Sequence, residues 1–389
     1  MDELSVLVVN AGSSSLKLRV LDRADAVVAA ADLPAVGGGA GGAGGSDGTG
    51  ESAIKQAIES FGPVDAVGHR VVHGGTRYAA PVLITPPVRQ RLESLTDLAP
   101  LHQPKSLAAL DAVSGVLPGT PAVACFDTAF HATIPAAAAT YALPAEWRSR
   151  WALRRYGFHG LSHAYASRRA AELVGQARDP TTGAAEGLRV VTCHLGAGAS
   201  LAAVLGGRSV DTTMGFTPLD GLVMATRSGS VDPGLVLWLE EHAHMPPHEL
   251  AAALENRSGL AGLAGTDDMR EVLSRAADGD PQALLGREVY LHRLRGSVAA
   301  MAAAMNGIDL LVFTGGVGEK SAEIRARAAD GLGFLGVGVD ESANALGSDA
   351  HGDDWEVTAA GARVRSFVIT AREDVQIAGE VRSVLRYRA

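Results

Sequence analysis

The stretch that decides the fold is VLVVNAGSSSLKLRV, residues 6–20. Its first half is a nearly continuous apolar run, which is typical of a buried strand. In its second half, LKLRV, apolar residues alternate with charged ones, the period-two pattern of a half-buried strand. The residues between the two halves are small and polar. The stretch therefore predicts two strands joined by a tight turn.

This turn has two interpretations. Its backbone N–H groups, its three serine hydroxyls and Lys17 suit a phosphate, but an ordinary Ser/Gly hairpin is the simpler interpretation of the stretch alone. Ser14 to Lys17 matches S-x-x-K, yet the Ser of that motif starts a helix, and no S-D-N or K-T-G follows. A P-loop requires Gly-Lys-Ser/Thr entering a helix, which is absent here.

The composition limits the classes of protein to which the chain can belong. The 389 residues suffice for two domains with sizeable cores, and 47% hydrophobic with 20% charged residues is usual for a globular chain. A formal net charge of −9 argues against nucleic acid or an anionic membrane as the main partner. Apolar runs are too short to cross a bilayer, and MDELSVLVV lacks the basic start of a signal peptide. Cys125 and Cys193 lie in apolar runs without metal-ligand spacing, so we expect buried thiols in a cytoplasmic protein.

Two more small-residue turns occur along the chain. Residues 188–195 predict a strand that leads through GAGAS to a second strand at 201–205, repeating the opening pattern. The turn TGGVG, residues 314–318, follows an apolar strand and precedes a helix predicted to start near Ser321, a natural place for a nucleotide phosphate. These repeats suggest a duplicated core of α/β type.

Periodicity also predicts further elements, and one insertion. The predicted helices cover residues 51–61, 86–98, 106–116 and 162 to about 174, and the predicted strands cover 64–72 and 121–127. Residues 37–50 are almost entirely Gly, Ala, Ser, Asp and Thr, a composition that predicts a flexible surface insertion.

Polar residues stand at the ends of several predicted strands, where open α/β sheets bind ligands. They are His69, Arg70, Asp127, His159, His194, Arg227, Asp268, Arg270 and Glu373. Taken singly, each fits a surface charge, a turn cap or a satisfied core histidine equally well. The spacing of His159 and His163 suits a zinc protease, but Gly160 stands where such an enzyme carries its glutamate, so we reject that interpretation.

Eight segments together resemble the acetate kinase family, in the superfamily of sugar kinases, heat-shock ATPases and actin. They are NAGSSSLK (10–17), GHRVVHGG (68–75), APLHQP (99–104), FDTAFH (126–131), RRYGFHGLSH (154–163), HLGAGAS (194–200), DTTMGFTPLDGLVMATRSGSVDP (211–233) and FTGGVGE (313–319). The resemblance implies an α/β chain of two duplicated ribonuclease-H-like (actin-like ATPase) domains with an interdomain cleft. It implies residues 1–146 plus 374–389 as the acyl-kinase domain, 147–373 as the nucleotide-binding domain, hinge closure and a homodimer.

The activity implied is phosphorylation of acetate by ATP, giving ADP and acetyl phosphate. A carboxylate is already a nucleophile, so such a reaction depends mainly on positioning and charge. Arg70 and Arg227 would flank the carboxylate and the transferring phosphoryl group, with Asp127 orienting groups and His159 stabilising the transition state.

The resemblance assigns the remaining contacts residue by residue. They are Val72, Leu101 and Pro218 for the substrate methyl; Asn10 and Glu373 for Mg²⁺ or Mn²⁺; Ser13, Ser15 and Lys17 for the phosphate path; and His194, Leu195, Gly196, Gly198, Asp268, Met269, Arg270, Gly315, Gly316, Val317 and Gly318, together with Lys17, for ATP.

Four positions depart from the family pattern: Ala197 and Lys320 replace common asparagines, Ala225 a frequent Gly and Asp220 a frequent Glu. These changes bear on nucleotide affinity more than on reaction type. Propionate or butyrate kinase activity stays open, since one methylene in an apolar pocket is worth only about 1–3 kcal/mol. A nucleotide-binding regulator without acyl transfer is a distant alternative, because it would not need the two arginines.

Overall fold

A computed structural model of the chain describes residues 4–12, 15–35, 48–99, 102–175, 187–347 and 352–386. The chain forms two compact units, each of which is discontinuous in sequence. Unit 1 comprises Met1–Ala132, Gly160–Tyr165 and Arg372–Ala389, and unit 2 comprises Thr133–His159 and Ala166–Ala371.

Groups of strands and groups of helices follow each other along the chain. The strands are β1 (Val6–Ala11), β2 (Ser15–Leu21), β3 (Val27–Pro34), β4 (Ala66–Val71), β5 (Val82–Leu83), β6 (Ala122–Phe126), β7 (Arg189–Leu195), β8 (Ala199–Leu205), β9 (Arg208–Thr212), β10 (Leu310–Thr314), β11 (Asp354–Glu356) and β12 (Arg365–Ile369). The α-helices are α1 (Gly48–Phe61), α2 (Pro86–Glu93), α3 (Gln103–Val116), α4 (Ala136–Ala139), α5 (Ala145–Trp151), α6 (Gly160–Leu173), α7 (Pro233–Glu241), α8 (Pro247–Asn256), α9 (Gly259–Ala264), α10 (Met269–Ala277), α11 (Pro281–Ala304), α12 (Gly315–Lys320), α13 (Ala322–Asp330), α14 (Glu341–Leu346) and α15 (Glu373–Arg386). Short 3₁₀ helices cover Thr96–Leu98, Ala129–Thr133 and Gly333–Leu335.

The two units contain sheets of the same design. The sheet of unit 1 has the order β3-β2-β1-β4-β6-β5, and that of unit 2 has the order β11-β12-β10-β7-β8-β9. In each, the first strand pairs antiparallel with the second and parallel with a later strand, which pairs parallel with another. The predicted α/β class and duplicated core are therefore confirmed.

The two predicted hairpins are confirmed, but their turns differ in length. In the first, Ala11 pairs with Leu16, and in the second, Leu195 pairs with Ala199. The second strand of the later hairpin starts at Ala199, two residues before the predicted start.

The opening hairpin belongs to a sheet that is covered on both faces. Val6 and Val8 pack with Ile377 and Val381 of α15, whereas Leu7 and Val9 pack with residues of α1 and α3 on the other face. Burial on both faces explains why the first half of the opening stretch is apolar without alternation.

Gly68 of β4 lets α15 approach the sheet closely. A Cβ at this position would come within 2.4 Å of Ile377 Cγ2 and 2.8 Å of Val381 Cγ2. Real side chains do not tolerate such distances, so a larger residue would displace the helix.

We therefore expect Gly68→Ala to destabilise the chain by about 1–3 kcal/mol through overpacking. The measurement is the shift of the urea unfolding midpoint. Gly115→Ala is the matched control, because Gly115 lies exposed in α3 and its added Cβ would meet no atom within 4 Å. An equal shift in both variants would contradict the packing role of Gly68.

Three predicted boundaries are wrong. The helix predicted over 86–98 ends at Glu93 and continues after a break as a 3₁₀ turn. The loop predicted to reach residue 162 ends earlier, because α6 begins at Gly160, whose N–H donates to the carbonyl of Asp127 at 2.9 Å. The predicted open turn over 314–318 is instead the short helix α12, which directly follows β10.

Candidate active site

In unit 1, three parallel strands end in polar side chains on the same face of the sheet. Val8 and Val123 pack against α15 from β1 and β6, and Gly68 of β4 contacts the same helix. Alternate residues of a strand share a face. Asn10 and Arg70 therefore lie on this face, two residues after Val8 and Gly68, and so does Asp127, four residues after Val123. Strand alternation thus brings together three of the predicted site residues.

Arg70 and Asp127 form a bidentate ion pair. Nε and Nη2 of Arg70 donate to the two carboxylate oxygens of Asp127 at 3.1 and 2.6 Å. The two side chains are 15% and 1% exposed. Parallel hydrogen bonds of this kind fix the plane of the guanidinium.

The remaining bonds of Arg70 connect it to Asn10 and Glu373. Nη1 of Arg70 donates to Asn10 Oδ1 at 3.3 Å and to the carbonyl of Ala11 at 3.2 Å. Nδ2 of Asn10 donates to Glu373 Oε2 at 2.7 Å, and Glu373 is the first residue of α15. Asp127, Arg70 and the two sequence-predicted metal residues therefore form one hydrogen-bonded chain.

The electrostatics of this chain are dominated by burial. Burial raises the pKa of the Asp127 carboxyl, and the adjacent Arg70 guanidinium opposes that rise. For Arg70, burial favours the neutral form, but Asp127 and Glu373 outweigh it and raise its pKa. Arg70 is thus a permanent cation at the end of β4.

The other predicted residues of unit 1 lie near this chain or outside the described residues. Lys17 is exposed and stands directly opposite Asn10 in the β1–β2 register, which places it on the same face of the sheet. Val72 is buried immediately after β4. Ser13 and Leu101 lie outside the described residues, and Ser15 begins β2.

In unit 2, two histidines lie side by side. The rings of His159 and His194 have centroids 4.4 Å apart, and Nδ1 of His159 lies 2.9 Å from the hydroxyl of Ser200. His194 and Ser200 are direct partners in the β7–β8 register. His159 adopts a left-handed backbone with a φ of 55°, a strained conformation typical of functional positions.

Arg227 converges on His159 at Gly198. A Cβ on Gly198 would lie 3.3 Å from Nε2 of His159 and 3.4 Å from Nη1 of Arg227. Nη1 of Arg227 also donates to the carbonyl of Pro218 at 3.2 Å. Only a glycine leaves this space open, so Gly198 gives access to both a ring nitrogen and a guanidinium.

The loop that carries Arg227 is held by main-chain bonds. Met224 N–H donates to the Arg227 carbonyl at 3.2 Å, and Leu260 N–H donates to the Met224 carbonyl at 2.9 Å. Gly259 has a φ of +60°, and a Cβ there would clash with the Met224 carbonyl at 2.2 Å. Burial raises the pKa of the Glu255 carboxyl, and the charge of Arg227 partly offsets this rise.

The predicted nucleotide residues of unit 2 fall into two groups. The first surrounds the end of β7: Leu195 is buried, Gly196 N–H donates to the Gly198 carbonyl at 3.0 Å, and a Cβ on Gly315 would lie 2.9 Å from the Leu195 carbonyl. Gly315 to Gly318 belong to α12, with Gly316 exposed and Gly318 buried. The structure therefore brings Leu195 next to Gly315.

The second group is the turn at the start of α10. The Asp268 carboxylate accepts the N–H of Arg270 at 2.9 Å as the helix cap, and Met269 is buried behind it. The Arg270 side chain is 91% exposed and pairs with Asp268; its hydrogen bond lowers the pKa of Asp268 to about 2. No hydrogen bond or ion pair joins this turn to α12 in the part of the chain described.

Sequence reasoning did not single out two of the contacts in unit 2. Ser200 is the hydrogen-bond partner of His159, and Glu319 is the partner of Gly315. Both residues stand in segments that carried the family resemblance. The partner of Ser200 lies 41 positions away in sequence, whereas Glu319 contacts Gly315 only four positions away.

Comparison with known proteins agrees with this geometry. Residues 51–379 match the Acetokinase family. The chain is 45% identical over 333 residues to an acetate kinase of Microcystis aeruginosa, covering 85% of this chain and 79% of that protein. It is 41% identical over 396 residues to an acetate kinase of Shouchella clausii, covering 96% and 97%.

Solved structures give the same result over nearly the whole chain. The crystal structure of Porphyromonas gingivalis acetate kinase superposes with a TM-score of 0.85 at 33% identity, covering 98% of this chain and 100% of that one. A propionate kinase from Francisella tularensis has a TM-score of 0.86 at 33% identity with the same coverage. Among the described residues, no helix is long and apolar enough to cross a membrane. The predicted resemblance and fold are confirmed, and the chain belongs to the acetokinase family, whose members are kinases that use ATP and a divalent metal.

Proposed function

We propose that this kinase transfers the terminal phosphoryl group of ATP reversibly and directly to acetate, giving ADP and acetyl phosphate. The observation that carries the proposal is the hydrogen-bonded chain Asp127–Arg70–Asn10–Glu373 at the carboxyl ends of the parallel strands of unit 1. It combines a fixed cation for a carboxylate with oxygen ligands for a hard metal ion.

In unit 1, we assign Arg70 to the carboxylate of the substrate. Its guanidinium is held rigidly by Asp127, so it binds an anion with little loss of side-chain freedom. The buried side chain of Val72, next along the chain after β4, contacts the substrate methyl in this proposal, as does Leu101. Asp127 orients Arg70 and the groups around the transferring phosphoryl.

In unit 2, we assign Arg227 and His159 to the transferring phosphoryl group. Their converging nitrogen atoms near Gly198 provide positive charge and hydrogen-bond donors for the oxygens of the transition state. The contact of His159 Nδ1 with Ser200 orients the ring, and we assign its Nε2 to a phosphoryl oxygen. Pro218, whose carbonyl holds Arg227, is the proposed methyl contact of this unit.

The divalent metal fits the oxygen ligands of unit 1. Within the residues described, no group of three or more His, Cys, Asp or Glu could hold a metal alone. Asn10 and Glu373 offer two oxygen ligands, and Oε1 of Glu373 makes no hydrogen bond to a described residue. This set suits Mg²⁺ or Mn²⁺ held partly by water and phosphate oxygens. When bound, the metal neutralises charge on the phosphates.

For the nucleotide, we assign Lys17 to the phosphate path and His194, Leu195, Gly196, Gly198 and α12 to the phosphates and adenosine. The turn Asp268–Arg270 is assigned to the nucleoside. The exposed Arg270 side chain can leave Asp268 easily, because solvent screens a surface ion pair.

A hydroxamate assay tests the reaction. The chain is incubated with ATP, Mg²⁺ and hydroxylamine, together with acetate, propionate or butyrate. The proposal expects acyl hydroxamate with the highest kcat/KM for acetate. A preference for propionate would favour the alternative activity named for the Francisella relative, and ATP binding without any hydroxamate would leave only a nucleotide-binding protein.

For Asn10→Ala, we expect a higher Mg²⁺ concentration at half-maximal rate, because one metal ligand is lost while Arg70 keeps its bonds to Asp127. A rise of about tenfold corresponds to 1.4 kcal/mol. The measurement is a magnesium titration at saturating ATP and acetate. Lys55→Ala is the control, since Lys55 is an exposed residue of α1 that pairs only with Glu59. An unchanged requirement in Asn10→Ala would remove this residue from the metal site.

Three wider features are proposed with this function. We assign acyl binding to residues 1–146 plus 374–389 and nucleotide binding to 147–373. We also expect a homodimer in the cytoplasm, where ATP is available as a substrate. Sedimentation velocity measures the oligomeric state directly.

A further inference from the structure

Glu319 folds back onto the start of its own helix. Its Oε1 accepts the N–H of Gly315 at 2.8 Å, and Gly315 is the first residue of α12. The same oxygen accepts the N–H of Ala371 at 2.9 Å, two residues after the end of β12. One carboxylate oxygen therefore joins the start of α12 to the chain that follows β12.

The opposite end of α12 is held by a buried cation. Arg325 is 1% exposed and donates to the carbonyls of Gly318 at 2.8 Å and Glu319 at 2.7 Å. It also donates to the side chain and the carbonyl of Asn344 at 2.6 and 2.9 Å. Burial lowers the pKa of Arg325 to about 10, so it stays charged at neutral pH. An anion at the start and a cation at the end both suit the helix dipole.

These contacts matter because α12 is weak by itself. It has six residues, three of which are glycine, and glycine disfavours a helix by about 1 kcal/mol relative to alanine. Gly315 has a φ of +79°. Thr314, at the capping position, makes no side-chain cap bond. The conformation of the segment is therefore held by side-chain contacts, chiefly those of Glu319 and Arg325.

We propose that Glu319 is a positioning residue for the nucleotide: its carboxylate fixes the conformation of Gly315 to Gly318 and thereby sets the affinity for ADP and ATP without touching the nucleotide. The inference rests on the proposed function only in assigning α12 to the nucleotide. Acetate binding, which we assign to Arg70, Val72, Leu101 and Pro218, does not depend on this contact.

The test measures binding of ADP with Mg²⁺ by calorimetry to the full chain and to three variants. In Glu319→Ala we expect the Kd to rise about tenfold, since two hydrogen bonds to a charged group that hold the segment are lost. Glu319→Gln keeps an acceptor oxygen and should bind within about threefold of the parent chain. Glu323→Gln removes the same charge from the neighbouring helix, where Glu323 pairs with Arg287 and Arg327, and should bind as the parent does.

Two further measurements separate positioning from general damage. Amide hydrogen exchange at Gly315 and Gly316 should become faster in Glu319→Ala while exchange in β7 and β10 is unchanged. The KM for ATP should rise about tenfold with the KM for acetate changed less than about twofold.

Unchanged ADP binding in Glu319→Ala would overturn the inference, and so would equal rises in both KM values. Equal losses in the alanine and glutamine variants would overturn the acceptor role of the carboxylate. Because ADP binding is measured without acetate, a chain that makes no acyl phosphate but shows this pattern would refute the proposed reaction and support the role of Glu319.

Discussion

Replacing Arg227 with alanine is expected to lower kcat by about 10³-fold, because a guanidinium that stabilises a transferring phosphoryl group is worth 10³–10⁵ in rate. The side chain is held near Gly198 and the Pro218 carbonyl, where His159 also converges. Its charge is used mainly in the transition state, so the Kd for ADP should change far less than kcat.

The fold of the Arg227 loop should survive this change. The bonds that connect it to α9 are main-chain bonds of Met224 and Ala225, which do not involve the Arg227 side chain. The measurements are steady-state kinetics, ADP calorimetry and the melting temperature. Arg293→Ala, an exposed arginine of α11, is the matched control and should keep full activity. Arg227→Lys should recover only part of the rate, because lysine lacks the planar fork. Near-normal turnover in Arg227→Ala would remove the residue from the reaction.

Arg70→Ala is expected to abolish detectable turnover and also to destabilise the chain by about 3–5 kcal/mol, the usual effect of breaking a buried pair. The variant leaves the Asp127 carboxylate 1% exposed with its cation removed. Burial already raises the pKa of Asp127, and the opposing effect of Arg70 is lost.

The raised pKa of Asp127 determines how the stability of the Arg70→Ala variant depends on pH. A carboxyl whose pKa is raised on folding keeps its proton in the native chain where the unfolded chain has already released it. Stability then falls as pH rises above the ordinary aspartate value. The Arg70→Ala variant should therefore be most stable in mild acid, which denaturant unfolding from pH 4 to 8 measures.

The double variant Arg70→Ala/Asp127→Asn separates stability from catalysis. It removes the buried charge along with its partner, so it should regain much of the lost stability without regaining turnover. If the single variant were as stable as the parent at neutral pH, the pair would not have the structural role assigned here.

Much of unit 1 could be predicted from sequence because its signals are local. The apolar strand before Asn10 and the strands ending in Arg70 and Asp127 are short, continuous and bounded by small residues. Parallel pairing then brings their carboxyl ends to one edge of the sheet. Which of these polar residues touch depends on the pairing and register of the strands, which the sequence pattern does not predict.

The errors occurred where tertiary contacts overrule local preference. Three glycines between residues 315 and 318 predict a turn, yet Glu319 and Arg325 hold this segment as a helix. His159 adopts a left-handed backbone conformation that histidine rarely adopts, and no sequence pattern predicts this conformation. In the sequence, Gly68 is one more small residue of a strand. A glycine is needed there because α15, a helix more than 300 positions later in the chain, packs closely against it. Such contacts leave no periodic signal.

The closure of the first sheet by α15 has a consequence for synthesis on the ribosome. The strands that carry Val6, Gly68 and Val123 precede the residues of unit 2 in the chain, whereas the helix that covers these strands follows them. Until α15 has been made, one apolar face of the sheet lacks this helix while all of unit 2 is translated. Such exposed surfaces associate with chaperones or other nascent chains. The same late helix brings Glu373. Completion of this sheet and completion of the proposed metal site therefore coincide, so a chain truncated before α15 would be both prone to association and inactive.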